Sequence, residues 1–337
     1  MLDAGRGSPV GESPLNRSVS IFWFVHREQL IREIREVLGK TGFYLSDNIN
    51  TRGMSFDVIA RRDQNLLLIK ILLNVDAFSQ TNADELKLIA KTLSGSPILI
   101  GQKSGGGRLE EGVIYSRFGV PILSKETFVD FFMEGVPPYV FSAPGGLYVR
   151  LDGELMRHLR DQKNVSLGTL AEVAGVSRRT VQMYLEGMSA TIDIALRLEE
   201  FFGEPLVVPV DPFVYTKDVE EALASWGDFD AFEKHVFHKL KALGFNVLPT
   251  LRCPFEALTR DTTQLFLTGV RGRNENVEEK VAIVSNISKI AERDSVIFVE
   301  KTGVRMSIRG TPLIAKEELK KIRERDEIED LIKERKK

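Results

Sequence analysis

The 337-residue chain is expected to be α/β plus all-α, with two copies of a small α/β domain flanking a central helical unit. Three observations lead there. Residues Leu167 to Glu186, LGTLAEVAGVSRRTVQMYLE, order their small, apolar and polar positions as a helix-turn-helix. The stretches on either side of that motif match one another element by element. With 43% hydrophobic residues, a chain of this length can also bury more than one core.

The central unit can be read position by position. Two helices crossing steeply need a small residue at the contact, supplied by Ala171, and a tight corner, supplied by Gly175, which takes positive φ at little cost. Val176 plugs the corner, while Leu170, Val181, Tyr184 and Leu185 recur at helical spacing on the inward faces. Ser166 and Ser177 are suited to cap the two helices. A preceding helix is expected over Leu155–Gln162 and a following one over Thr191–Phe202, ending at Gly203, which gives a module over 153–204. With the apolar face turned in, Ser177, Arg178, Arg179, Gln182, Met183 and Glu186 point outward.

This segment, LAEVAGVSRRTV followed by ALRLEEFFG, resembles the lambda-repressor-like (Cro/cI-type) domain. The resemblance implies double-stranded DNA as partner, a dimer, and the second motif helix in the major groove. It implies base contacts from Arg178, Arg179 and Gln182, with Met183 and Glu186 beside them, and phosphate contacts from Ser166, Leu167, Thr169, Ser177 and Thr180. At Leu167 the family often has Gln, so that contact departs from its pattern. Local charge does not favour DNA: between Arg150 and Phe202 seven Arg and Lys residues face eight acids. The bland reading is a packing module without nucleic acid.

The flanks repeat five elements in order, over expected domains 21–135 and 229–319. HREQLIREIREVLGKTGF pairs with EKHVFHKLKALGF. A strand pair around Phe56-Asp57 matches one around Phe255-Glu256, with Leu66-Leu67-Leu68 against Leu265-Phe266-Leu267. ADELKLIAKTLSG then matches VEEKVAIVSNISKIA, SPILIGQ matches SVIFVEK, and GVPILSKETF matches GTPLIAKEEL. Linkers with short strands are expected at 136–152 and 205–228, and these two are expected to pair at the base of the helical module.

The order helix, strand pair, helix, strand, strand resembles the PD-(D/E)xK nuclease-like superfamily. That resemblance implies a divalent metal held by an acid on one strand and an acid two residues before a Lys on the next. Asp57 and Lys70 match, but Leu68 stands at the second acid. In the other copy Glu256 matches, while Leu267 and Gly269 replace the remaining two. Glu33, Glu36 or Asp76 would have to substitute, so the site reads as degenerate, with Asp57 and Lys70 an ordinary strand pair; no metal or cofactor is expected.

Composition sets outer limits. A net charge of -2 excludes a nonspecific coating protein, and the single Cys253 excludes an internal disulfide or cysteine-built zinc site. His235 and His238 stand three apart on an expected helix and read as a solvated face. Gly101–Gly112, with three consecutive glycines, lacks the phosphate-loop order and reads as a hairpin loop from which Lys103 and Arg108 could reach DNA backbone. Residues 1–20 read as a disordered tail, and 320–337 as a charged helix or tail whose Ile322, Ile328 and Leu331, with Leu319 just before it, could dock on a partner. Nothing has the length of a membrane span, so the cytoplasm is the expected location.

The full order resembles archaeal helix-turn-helix transcriptional regulators. The function so implied is a sequence-specific DNA-binding regulator and not an enzyme, working as a homodimer, with the flanks holding two half-sites or sensing an effector. The alternatives are a metal-dependent nuclease and a non-catalytic interaction scaffold.

Overall fold

The computed structural model describes residues 14–47, 53–214, 229–271, 276–301 and 305–336. Helix α1 (Pro14–Lys40) begins inside the segment expected to be a tail, whose residues 1–13 lie outside the described ones, as does most of the second linker, 215–228. The first lobe continues with β1 (Tyr44–Leu45), β2 (Val58–Arg62), β3 (Asn65–Asn74), α2 (Gln80–Leu93), β4 (Ser96–Ser104), β5 (Gly107–Arg108), β6 (Val113–Arg117), β7 (Val120–Ser124) and α3 (Lys125–Val129). The helical module runs through β8 (Val140–Ala143), β9 (Gly146–Leu151), α4 (Gly153–Gln162), α5 (Leu167–Ala174), α6 (Arg178–Leu185), β10 (Ala190–Thr191), α7 (Ile192–Phe202) and β11 (Val207–Val208). The second lobe comprises α8 (Ala231–Ala242), β12 (Asn246–Pro249), β13 (Ala257–Arg260), β14 (Leu265–Arg271), α9 (Val277–Ala291), β15 (Asp294–Val299), β16 (Ser307–Ile308), β17 (Thr311–Ala315), α10 (Lys316–Lys321) and α11 (Arg325–Arg335).

In the first lobe the strands order as β1-β2-β3-β4-β7-β6, and in the second as β12-β13-β14-β15-β17-β16. Strands β3 and β4 are near-continuous apolar runs, because parallel strands covered on both faces bury both sets of side chains. On one face of the first sheet α1 packs Leu30, Ile31, Ile34 and Leu38 against Val58, Leu67, Ile69 and Ile71. On the outer face of the second, α8 packs with Leu319, Ile322, Ile328 and Ile332. The charged C-terminal segment is therefore built into the second lobe. The segment reads from sequence as a solvated helix or tail whose apolar residues could dock on a partner; they pack on their own lobe instead, because i, i+4 spacing gives α11 one apolar stripe.

Between the two sheets lies a single core. Leu66, Leu68, Leu86 and Ile89 of the first lobe are contiguous with Phe255, Leu258, Val284 and Ile287 of the second. Polar bonds cross the seam. Arg61 Nε and Nη2 donate to the carbonyls of Ile290 and Ala291 at 2.7 and 3.0 Å, and Ser55 N donates to Arg252 O at 2.7 Å. Glu85 Oε1 accepts from the amides of Leu251 and Arg252 at 2.9 and 3.0 Å.

The module joins the first sheet by continuous pairing: β6 runs parallel to β8, β8 antiparallel to β9, and β9 antiparallel to β10. Strand β11 also lies on β9, with Val207 opposite Leu151, so the two Pro-limited segments meet under the helices. Val210 closes the joint, donating to Pro138 O at 2.8 Å and burying its side chain in the first lobe's core. No helix among the described residues is long and apolar enough to cross a membrane.

Candidate nucleic-acid interface

Helices α5 and α6 form as their caps dictate. Ser166 Oγ accepts from Thr169 N at 3.0 Å and Ser177 Oγ accepts from Thr180 N at 3.1 Å. Gly175 takes φ +70° at the corner, where a β-carbon would cost about 1–2 kcal/mol. Leu170, Ala171, Ala174, Val181, Tyr184 and Leu185 are buried together with Met156, Leu198 and Phe202. Two features of α6 support were not legible in sequence. Gly153 lets α4 approach so closely that an added Cβ would meet Leu185 O at 2.4 Å. Arg157 Nη1 donates to that same carbonyl at 2.8 Å, capping the C-terminal end of α6.

Fixing one face of α6 turns the other outward. Ser177, Arg178, Arg179, Gln182, Met183 and Glu186 are all exposed, and Met183 retains 40% of its surface. Neither Arg178 nor Arg179 has a carboxylate within ion-pair distance among the described residues. Arg178 lies back over α5, where a Cβ at Gly168 would come within 3.1 Å of its Nη2. Arg179 stands clear. Gln182 Nε2 donates to Glu186 Oε1 at 3.0 Å, one turn apart. Ser166 with Thr169, and Ser177 with Thr180, pair their hydroxyls at 3.0 and 2.9 Å at the two helix N-termini. Leu167, expected among the contacting residues, is instead half-buried against the module's core, because its side chain lies on the apolar side of α5.

The nuclease-like positions are arranged differently. Asp57, 2% exposed, accepts from Ile71 N at 2.7 Å through Oδ2, while Oδ1 faces Arg27 Nη2 at 2.5 Å and Lys70 Nζ at 3.3 Å. Lys70 also donates to Met54 O, and burial pulls its ammonium below the usual lysine range against the opposing pull of Asp57. Leu68, where the second acid would stand, lies in the shared core. One carboxylate already bonded to two cations and an amide does not fit a divalent metal. Arg27, the residue that takes the metal's place beside Asp57, lies thirty positions away on α1, and no spacing rule pointed to it. Glu33 pairs with Lys125 at 3.0 Å and Asp76 with Arg117 at 3.1 Å, so neither completes the site. In the second lobe Glu256 Oε2 accepts from Val270 N at 2.6 Å and its other oxygen holds Lys280; burial there raises the Glu256 carboxyl above its ordinary range.

Of the remaining candidates, Gly101–Gly112 is a hairpin in which Lys103 pairs with Arg108 across β4 and β5. Around His235 and His238 no group of three or more metal-binding side chains gathers among the described residues.

Residues 27–138 match the model of the PD-(D/E)XK superfamily domain, and residues 156–208 that of the helix-turn-helix. No solved structure matches the chain. Several relatives carry the provisional name HTH-type transcriptional regulatory protein. Those of Methanocella arvoryzae and Halorubrum lacusprofundi are each 40% identical, covering 91% and 92% of this chain and 96% and 97% of their own. That of Methanosarcina acetivorans is 39% identical over 92% of this chain and 98% of its own. With 39–40% identity to them over nearly the whole chain and a match to the helix-turn-helix model at its centre, the chain belongs to this archaeal family of HTH-type transcriptional regulatory proteins.

Proposed function

We propose that this chain regulates transcription by binding double-stranded DNA in a sequence-specific way, with residues 177–186 lying in the major groove. The single observation carrying this reading is the outward face of α6. It presents Arg178, Arg179 and Gln182, side chains whose forked donors match guanine and adenine edges, on a helix whose opposite face is anchored in the module's core. Ser166, Thr169, Ser177 and Thr180 stand at two helix N-termini, where backbone amides favour phosphate.

In this reading the domains are 21–135, 153–204 and 229–336, the last extended to include α11. The outer two are degenerate copies of one α/β domain. Support comes from their matching strand orders, and from an acid in each that accepts the amide fourteen residues on: Asp57 from Ile71 and Glu256 from Val270. The copies pack on each other as two subunits would, sharing a core through α2 and α9. Each chain then has one recognition helix for two lobes, so we infer a homodimer in which two such helices sit about 34 Å apart. We assign no hydrolytic role to the lobes, because Asp57 is neutralised by Arg27 and Lys70 and Leu68 supplies no ligand. A DNA-binding regulator of this kind works in the cytoplasm.

Selection of bound duplexes from a random pool, at two salt concentrations, tests the reading. The expected result is an enriched, two-fold symmetric motif with a salt slope set by a few phosphate contacts. Recovery of unenriched sequence would reject it.

A further inference from the structure

The second lobe carries a cleft of about 970 Å³ that the DNA-binding reading does not use. Its walls come from the β13–β14 turn, the C-terminal end of α9, the start of β15 and the β16–β17 turn, with Thr92 of the first lobe at its rim. The volume suits a metabolite. Its chemistry is unusual for an apolar ligand site: the only large hydrocarbon side chain on its walls is Leu265, and no aromatic ring offers a stacking surface.

Hydroxyls line the interior. Ser288, Ser295 and Thr311 are 7%, 6% and 1% exposed, yet all three reach the cleft. Ser295 Oγ donates to Ser288 Oγ at 3.3 Å and Ser288 Oγ to Ser285 O at 3.0 Å, which leaves the lone pairs of Ser295 for an incoming donor. The carboxylates in the walls are already engaged. Asp294 pairs with Lys336, Glu292 with Arg61 at 3.4 Å, and Asp261 accepts from the amides of Thr263 and Gln264 at 2.6 and 2.7 Å. Lys289 and Arg309, both exposed at the mouth, have no ion-pair partner among the described residues. Arg309 is held at φ +51° in the β16–β17 turn, a backbone that an L side chain rarely adopts.

We propose that this cleft binds a small, hydroxyl-rich phosphate ester of the sugar-phosphate class, its phosphate at Lys289 and Arg309 and its hydroxyls on Ser295 and Thr311. The absence of any aromatic wall argues against a nucleobase. Thr92 brings the first lobe to the rim, so the occupant lies beside the seam between the lobes.

The test uses the full chain and calorimetric titration with three probes: ribose 5-phosphate, ribose and inorganic phosphate. Ribose 5-phosphate is expected to bind saturably at one site per chain. Ribose and inorganic phosphate should each bind at least about tenfold more weakly, since each lacks one half of the contacts. Lys289→Ala with Arg309→Gly removes both cations, and glycine suits the left-handed backbone at 309, so the variant should melt like the parent and bind ribose 5-phosphate at least about tenfold more weakly. Absence of saturable binding at millimolar ribose 5-phosphate, or equal binding by the variant, overturns the proposal. So does a short DNA duplex that displaces ribose 5-phosphate from the parent, since the cations would then serve nucleic-acid phosphate. None of these readouts depends on α6, so the cleft and the DNA-binding reading fail separately.

Discussion

Replacing Asp57 with alanine separates a structural carboxylate from a metal ligand. The side chain is 2% exposed and satisfies Ile71 N, Arg27 and Lys70 at once. Its loss strands the Lys70 ammonium, itself 4% exposed, with only Met54 O for company, and leaves a buried amide unpaired. Breaking a buried pair from one side costs about 3–5 kcal/mol, and Arg27, whose side chain is 22% exposed, can turn to water, so nothing is added on its account. At about 2–4 °C per kcal/mol, the melting transition should fall by roughly 6–20 °C. Lys70→Met in the same chain should restore more than about 1 kcal/mol, because it removes the stranded charge. The sign with pH follows from Lys70, whose folded value is depressed by burial below 10.5. Without Asp57 it is depressed further, so the unfolded chain binds the extra proton. The penalty is then complete below the folded value and fades as pH rises from there toward the unfolded one. Calorimetric melts of the parent and the two variants between neutral and alkaline pH provide the assay. A loss under about 1 kcal/mol for Asp57→Ala, or magnesium-dependent DNA cleavage that the variant abolishes while melting like the parent, would refute the reasoning.

Arg178→Ala with Arg179→Ala should weaken a selected operator by about 2–6 kcal/mol in electrophoretic titration without altering the melt, and an unchanged isotherm would sink the groove assignment. Gly175→Ala should destabilise the helical module by about 1–2 kcal/mol, seen in urea unfolding, because φ is +70° there and the new methyl would crowd Arg197 Nη1 at 3.0 Å. Cys253, buried at the lobe seam with its thiol against Glu85 Oε1 at 3.6 Å, is pushed well above the ordinary thiol range by burial and that carboxylate. Iodoacetamide should therefore label it only on unfolding; rapid labelling of the folded chain would show that the seam opens.

The helix-turn-helix was legible because its constraints are local. Ser166, Gly175, Ser177 and the buried Leu170, Val181 and Leu185 each follow from capping, from a positive φ or from period 3.6, all of which span a few residues. The pairing of β9 with β11 was legible for a similar reason, since prolines confine the second segment to an edge. The packing of Leu167 against the module's core was not legible, because helix position N1 can turn either way until a core lies beneath it. The C-terminal stripe was legible as apolar, but sequence could not say which surface it covers.

Residue order by itself determined the alternation of strands and helices, the caps, and which side of α6 is polar, since each depends on neighbours within a turn or two. Tertiary structure decided the rest. It set Arg27 beside Asp57 from thirty residues away, joined two lobes through one core with Arg61 across the seam, and opened a hydroxyl-lined cleft from four separate segments. Such meetings depend on how whole sheets pack, and the free energy of a buried charge or a shared core resides in partners that chain distance does not encode.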